Sequence, residues 1–434
     1  MSDPQIGLLG IAGLLVLIAS RVPIGIALVV VSYLGIWAIT GPTAAWGMLQ
    51  VVPHTFIANW TLSSVPMFLL MGFVCYHAGL TRGLFDTARL WLSRLPGGLA
   101  IASVFGCSGF AAVTGSSVAC AAAMGKVAVP EMVRNRYDMS LATGTLAAAG
   151  TIGALIPPSI LLIIFGVVAQ VSISDLFLGG IGAGLATALT YIIVILIRVK
   201  LNPELAPPVT ERYTLAQKMA SLKETVPLLA LVIGVLGGMF AGLFTATQAG
   251  AVGALLSFVV AAFNRTLTRE AVTRSITETL TTCGSLFIVI IGASMLTRFL
   301  TLTGLGETIS GVVTDLNTGP IMLIVGMTLV YLLLGMFLEP IGAMLITLPI
   351  FLPLVAITDM SLIWFGVYVV KLLEIGMVTP PVGMNVFVIS STVGKTAPTD
   401  LVFRGVLWFF VADIILLVFL VAFPGIITAI PNWI

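Results

Sequence analysis

The sequence predicts an all-α polytopic membrane protein made of two inverted repeats. Each repeat has a re-entrant helical hairpin and a transmembrane helix broken at a Pro-Pro pair. Three observations carry this. First, 59% of the 434 residues are hydrophobic and only 8% are charged, about a third of the charged fraction of a soluble protein. That excludes a soluble enzyme, a nucleic-acid binder and a disordered chain. Second, the apolar runs are longer than a barrel strand of about 10 residues and do not alternate in polarity. The spanning elements are therefore helices. Third, unusual punctuation recurs at one constant offset along the chain: Pro130 and Pro353, Gly153 and Gly376, Pro157-Pro158 and Pro380-Pro381.

Taken in order, plain spans are expected near 5–20, 23–40, 64–80, 176–197, 226–241, 246–263, 279–297 and 402–424. The first has Asp3 in front and Arg21 behind, the reverse of a secretory signal, so it reads as a first membrane helix. Residues 81–96 mix Arg82, Arg89 and Arg94 with Leu84, Phe85, Trp91 and Leu92, which suits a helix lying in the interface. Residues 199–224, with Pro203, Pro207 and Pro208, read as the linker between a first repeat (1–224) and a second (225–434). The four cysteines lie in apolar surroundings without metal-ligand spacing.

Three segments do not behave as single helices. Residues 97–130 have a small, polar centre, and two legs of about 15 residues rise only about 22 Å, short of the ~30 Å hydrocarbon core. This is the signature of a hairpin whose tip stops inside the membrane. Residues 139–170 are interrupted by Pro157-Pro158, and residues 361–393 by Pro380-Pro381; two adjacent prolines remove two amide donors and break a helix. With the same offset, residues 319–353 form the second hairpin and Glu339-Pro340 faces Ser116-Ser117 in register. Repeats with discontinuous helices point to a secondary transporter whose site lies at the repeat interface. If both termini are periplasmic, 17 of the 19 Lys and Arg fall on the cytoplasmic side, all but Arg298 and Lys371. The two halves are then inverted.

The strings GSSVACAAAMGKVAVPEM (115–132), GTIGALIPPSILLIIFG (150–166), GLFTATQAGAV (242–252), LGMFLEPIGAMLITLPIFLPL (334–354) and EIGMVTPPVGMNVFVIS (374–390) resemble the large membrane subunit of the tripartite ATP-independent periplasmic (TRAP) transporters. The resemblance covers nearly the whole chain. It implies a sodium-coupled secondary importer of a small organic anion, of the carboxylate or sulfonate class, in the bacterial inner membrane. It also implies an elevator-type, ion-transporter-like architecture, a small four-helix membrane subunit as a separate chain, and a periplasmic substrate-binding protein. Gln248 stands where family members often carry Glu, and Glu339 where they often carry Asp.

Sodium takes hard oxygen ligands, which freed carbonyls at helix breaks and Ser or Thr hydroxyls supply without an organic cofactor. The first candidate sodium site joins Ser108, Thr114, Ser116 and Ser117 of the first hairpin to the break at Ile156 and Pro157. The second joins Gly335 and Glu339 to Thr379 and Pro380. Half-helix N-termini beside them suit a substrate carboxylate, with Gly115, Pro158, Ser159, Pro340, Pro381 and Asn385 as candidates. By resemblance, two sodium sites flank one substrate site. Lys371 and Glu374, three apart on one helix, read as a structural pair. His54 and His77 have no partner readable in the sequence, and Arg298 reads as an interfacial anchor. A stand-alone sodium-coupled anion transporter is the alternative. Gly106-Cys107-Ser108-Gly109 fits an intramembrane serine protease pattern, but both histidines precede it. Gly394-Lys395-Thr396 lacks the first glycine of a phosphate loop. A channel would want a continuous polar pore.

Overall fold

Capping residues and glycines set most of the helix boundaries in the computed structural model, which describes residues 2–207, 213–315 and 319–433. Ser2 and Gln5 form a capping box at the start of α1 (Asp3–Ala19), and Gly41, at φ +88°, ends α2 (Ile24–Thr40). There follow α3 (Pro42–Ile57), a short 3₁₀ turn at Trp60–Ser63 and α4 (Ser64–His77). The amphipathic α5 (Arg82–Leu92) then leads to α6 (Gly98–Thr114) and α7 (Ser117–Arg134). The first broken helix is α8 (Met139–Gly150), a 3₁₀ turn (Thr151–Ala154), an irregular break and α9 (Ile160–Ala169). Asp138 caps α8 through Leu141 N at 2.9 Å, and Ser159 caps α9 through Leu162 N at 3.2 Å. The long α10 (Ile173–Leu201) closes this part.

The second half runs α11 (Leu215–Phe240), α12 (Ala246–Phe263), α13 (Arg269–Thr303), α14 (Leu305–Asp315), α15 (Pro320–Gly335), α16 (Pro340–Ala356), α17 (Leu362–Gly376), α18 (Met384–Val393), α19 (Thr399–Ala422) and α20 (Gly425–Trp433). Among the described residues every regular element is helical, and six helices are long and apolar enough to cross a membrane. Element boundaries recur at the offset seen in the sequence: α5 and α14 correspond at both ends, and α7 and α16, then α8 and α17, at their first residues. The α3, 3₁₀ turn and α4 of the first half correspond to the single 35-residue α13 of the second.

The structure adds helices that apolar run length did not reveal: α3, α14 and α20. It also lengthens α13, whose first turns carry Arg269, Glu270, Arg274 and Glu278. The supposed linker is shorter than expected, because α10 continues to Leu201 and a Thr214–Gln217 capping box starts α11 early. Pro208 and Arg212 of that stretch lie outside the described residues.

Two packed bodies organise the helices. In one, α2 and α4 pack along α13, and α12 along α4. In the other, α6, α7, α18 and α19 surround α8, whose residues Leu141–Gly150 are all buried. Between them runs α17, buried from Trp364 to Gly376 and packed on α15, α10, α9 and α16.

Candidate functional site

Both hairpins turn in the same way. Gly115 ends α6 in the left-handed region at φ +61°, a conformation that disfavours any residue with a Cβ. Ser116 then caps α7, its Oγ accepting from Ala119 N at 3.4 Å. In the second hairpin Glu339 caps α16, its Oε2 accepting from Gly342 N at 3.3 Å. Ser116 and Glu339 are separated by the repeat offset itself, so the two caps share one register.

Each tip rests on a neighbouring broken helix. A Cβ on Gly115 would collide with the Pro158 carbonyl oxygen, and one on Gly153 would stand 3.0 Å from the Ser116 carbonyl oxygen. In the second half a Cβ on Gly335 would lie 3.1 Å from Gly376 Cα. These glycines let backbone meet backbone, as in small-residue helix crossings within membranes.

The tips converge on one cavity of about 120 Å³. Ser116 and Ser117 line it from the first hairpin, Glu339 and Pro340 from the second, and Glu374 from α17. Ser117 Oγ donates to Glu374 Oε1 at 3.1 Å, joining the two halves. Glu374 is fully buried, whereas Glu339 keeps solvent access. Thr114 and Ser116 also face a second cavity of about 260 Å³ between the first hairpin, α4 and α13, where Tyr76, Glu278 and Thr282 stand. A third cavity of about 250 Å³ shares Tyr76 and Phe110 with it and is lined by His77, Arg82, Lys126 and Arg274.

The other candidate residues are placed as follows. Gly115, Ser116, Ser117, Glu339 and Pro340 meet at the cavity between the tips. Ser108 stands apart, two turns back along α6, donating to Val104 O at 2.8 Å. Thr114 donates to Phe110 O at 3.1 Å. Pro157, Pro158 and Ser159 are buried beneath the first tip, and Ser159 Oγ donates to the Ala154 carbonyl. Ile156 is half-buried against Gly184. In the second break Thr379 donates to Ile375 O at 2.6 Å, while Pro380 and Pro381 are exposed. Asn385 is buried; its Nδ2 donates to Ala147 O at 3.3 Å, and its Oδ1 has no hydrogen-bond partner among the described residues.

Three groups were not legible in the sequence. Lys371 makes its ion pair with Asp413 of α19, Nζ to Oδ1 2.6 Å, and not with Glu374. Tyr191 of α10 donates to Asp413 Oδ2 at 2.8 Å and shares a 3.0 Å hydrogen bond with Thr151. His77, which had no partner in the sequence, stands 3.1 Å from Glu278 Oε2. The signal for Asp413 was an isolated acid inside an apolar run, which is a functional candidate by default. Its partner lies 42 positions away in the chain, and only packing reveals it.

Comparison with known proteins places this arrangement. The family model of the tripartite ATP-independent periplasmic transporter, DctM component, matches residues 11–426. The C4-dicarboxylate TRAP transporter large permease protein DctM of Pseudomonas aeruginosa is 34% identical over 376 residues, 86% of this chain and 87% of that protein. The sialic acid TRAP transporter large permease protein SiaM of Vibrio cholerae is 30% identical, covering 97% of each. Among solved structures, the Alcanivorax borkumensis YdaH transporter shares the fold, with a TM-score of 0.60 over 88% of this chain and 90% of that one, at 16% identity. Helices of membrane-spanning length, paired hairpin tips and a match over almost the whole sequence lead to one conclusion: the chain is an integral membrane protein of the DctM family, the large permease component of the TRAP transporters.

Proposed function

We propose that the protein imports a small organic anion, of the carboxylate or sulfonate class, across the bacterial inner membrane, driven by co-transported sodium. The observation that carries this reading is the convergence of two hairpin tips, one from each half, on a single cavity where Ser116, Ser117, Glu339 and Glu374 bring hydroxyl and carboxylate groups among apolar neighbours. Hard oxygen donors of this kind suit an alkali cation. Ser116 and Ser117 contribute from the first tip and Glu339 from the second, while Thr379 and the unpartnered Oδ1 of Asn385 supply oxygens beside the second break.

The anion has a separate route in this proposal. The cavity between the first hairpin and the α4–α13 body shares Tyr76 and Phe110 with one lined by Arg82, Lys126 and Arg274. Clustered positive charge raises the local concentration of an anion. The relatives are named for C4-dicarboxylates and sialic acid, and the carboxylate class here follows them. A separate small membrane subunit and a periplasmic binding protein complete the system in this reading, with both termini of this chain in the periplasm.

The motion is proposed as an elevator. The body around α8 carries both the first tip and the second break, and slides as a unit against the α2–α4–α12–α13 body. The two chain halves are inverted repeats in this scheme, supported by the common register of their helix boundaries.

The test is uptake of labelled substrate into liposomes containing this chain, its small subunit and the loaded binding protein. An inward sodium gradient without ATP is expected to suffice. Uptake that survives collapse of that gradient would sink the proposal, and uptake without the binding protein would favour the stand-alone alternative. Replacing Ser116 and Ser117 by Ala, or Thr379 by Ala, is expected to raise the half-activating sodium concentration about three- to tenfold, the scale of one lost polar contact.

A further inference from the structure

On the orientation read from Lys and Arg, the cavity of about 250 Å³ between α4, α5, α7 and α13 lies at the cytoplasmic end of the molecule. Three cationic side chains line it, each from a different helix: Arg82 of α5, Lys126 of α7 and Arg274 of α13. No acidic side chain lines it among the described residues. Arg274 is held by Glu270, Nη2 to Oε1 2.6 Å, whereas Arg82 and Lys126 have no ion-pair partner among the described residues. Glu278, in the adjoining cavity, faces His77 instead, at 3.1 Å.

The cavity of about 460 Å³ between α13, α14 and α16 is the counterpart of this recess in the other half. At the repeat offset Leu300 stands for His77, Leu305 for Arg82 and Pro349 for Lys126. No basic side chain lines it among the described residues, and Glu307 is the charged side chain there. The two ends of the molecule therefore carry the same recess with different charge. The preference of cytoplasmic segments for Lys and Arg accounts for cations on that side. It does not require them to converge, unopposed by acids, on one recess from three helices. A concave site lined by one sign of charge concentrates the opposite ion, and Arg and Lys both bind carboxylates through charge-assisted hydrogen bonds. Lys126 belongs to the body around α8 and Arg274 to the body of α2, α4 and α13, so an anion gripped by both spans the two bodies.

We propose that Arg82, Lys126 and Arg274 form a product-side site for a soluble anion with two or more carboxylates. Held between Lys126 and Arg274, this anion clamps the body around α8 against the α13 body until it leaves. The site is thus a brake, through which a cytoplasm rich in such anions slows further uptake. This rests on the anion-import and elevator reading and adds its regulation. A volume of about 250 Å³ is the room of about eight waters at ~30 Å³ each, enough for a four-carbon dicarboxylate. The recess at the other end, without cations, offers no such grip.

The first experiment measures succinate binding by calorimetry to the purified full chain in phosphatidylcholine nanodiscs. Choline replaces sodium, so that a sodium-dependent transport site stays unloaded, and propionate at equal ionic strength is the one-carboxylate control. Wild type is expected to bind succinate saturably, about tenfold or more tightly than propionate, and more weakly as choline chloride is raised. Lys126→Gln and Arg82→Gln are each expected to weaken binding about three- to tenfold, as for one lost charge-assisted contact. Both side chains are exposed, so the variants should fold. Wild type that binds no succinate, or a Lys126→Gln protein with the wild-type midpoint, overturns the site. Binding abolished by phosphatidylglycerol in the nanodiscs assigns the recess to a lipid headgroup and overturns it too. The second experiment tests the clamp by pulsed electron paramagnetic resonance, with spin labels on Asn264→Cys and Lys395→Cys, one in each body; the native cysteines are buried. Saturating succinate is expected to narrow the distance distribution in this labelled protein and to leave it unchanged once Lys126→Gln is added. A distribution that ignores succinate without Lys126→Gln overturns the clamp. Neither measurement depends on uptake, so their failure is distinct from a failure of sodium-driven import.

Discussion

Lys371 and Asp413 show how a single side-chain choice constrains a membrane core. Both side chains are sealed from solvent, so removing one leaves the other charge without compensation. Lys371→Met is therefore expected to cost about 3–5 kcal/mol, seen as a lower apparent melting temperature of the purified protein in detergent. The double variant Lys371→Met/Asp413→Leu should recover most of that loss, because a neutral pair in a packed interior has no desolvation to offset. A single variant that melts like wild type would show the pair to be dispensable. Gly115 is a second such residue. Ala there must adopt a left-handed backbone, at about 1–2 kcal/mol, and must push its Cβ off the Pro158 carbonyl. Gly115→Ala should leave membrane insertion intact and lower uptake in the liposome assay; wild-type uptake rates would show that the tip tolerates the displacement.

Among elements, the tight crossing of α8 and α19 defines the body that carries the first tip. A Cβ on Gly144 would run into the Gly405 backbone, and one on Gly405 into the Ser140 carbonyl. Gly144→Val should force the two helices apart, at about 1–3 kcal/mol for overpacking, measurable as a lower apparent melting temperature; an unchanged one would mean that the helices separate freely. The helix expected within residues 81–96 is present as α5, and the structure explains how it is held. Arg89 pairs with Glu131 of the hairpin's second leg, while Thr87 Oγ donates to Ser221 O of α11 at 2.9 Å. Helices such as α3 and α14 escaped notice because they are short and not continuously apolar. Their helicity follows from packing, of α3 on α2 and α13 and of α14 on α16, and not from a long apolar run.

For the chain taken as one body in its membrane, the orientation inferred from the Lys and Arg distribution is open to direct measurement. All four native cysteines are buried, so an introduced thiol should report with little background. Ser2→Cys should react with a membrane-impermeant maleimide in spheroplasts, whereas Lys395→Cys should react only after permeabilisation. The reverse pattern would invert the topology.

Composition and local punctuation were enough to establish the solvent of this protein and the places where its helices fail. The scarcity of charge excludes water as that solvent, and Pro-Pro pairs, tip glycines and capping residues act locally, within a turn of where they stand. The positions of both hairpins and both breaks could therefore be read along the chain. Which of those failures meet was settled by packing in three dimensions. Packing brought Ser117 to Glu374, separated by 257 positions in the chain, and paired Lys371 with Asp413 and not with its helical neighbour. It also left Ser108 outside the cavity, because a helical hydroxyl can satisfy itself on the carbonyl one turn back. Such contacts depend on how helices cross, and crossing is set by the shapes of several surfaces at once, which no single stretch of sequence contains.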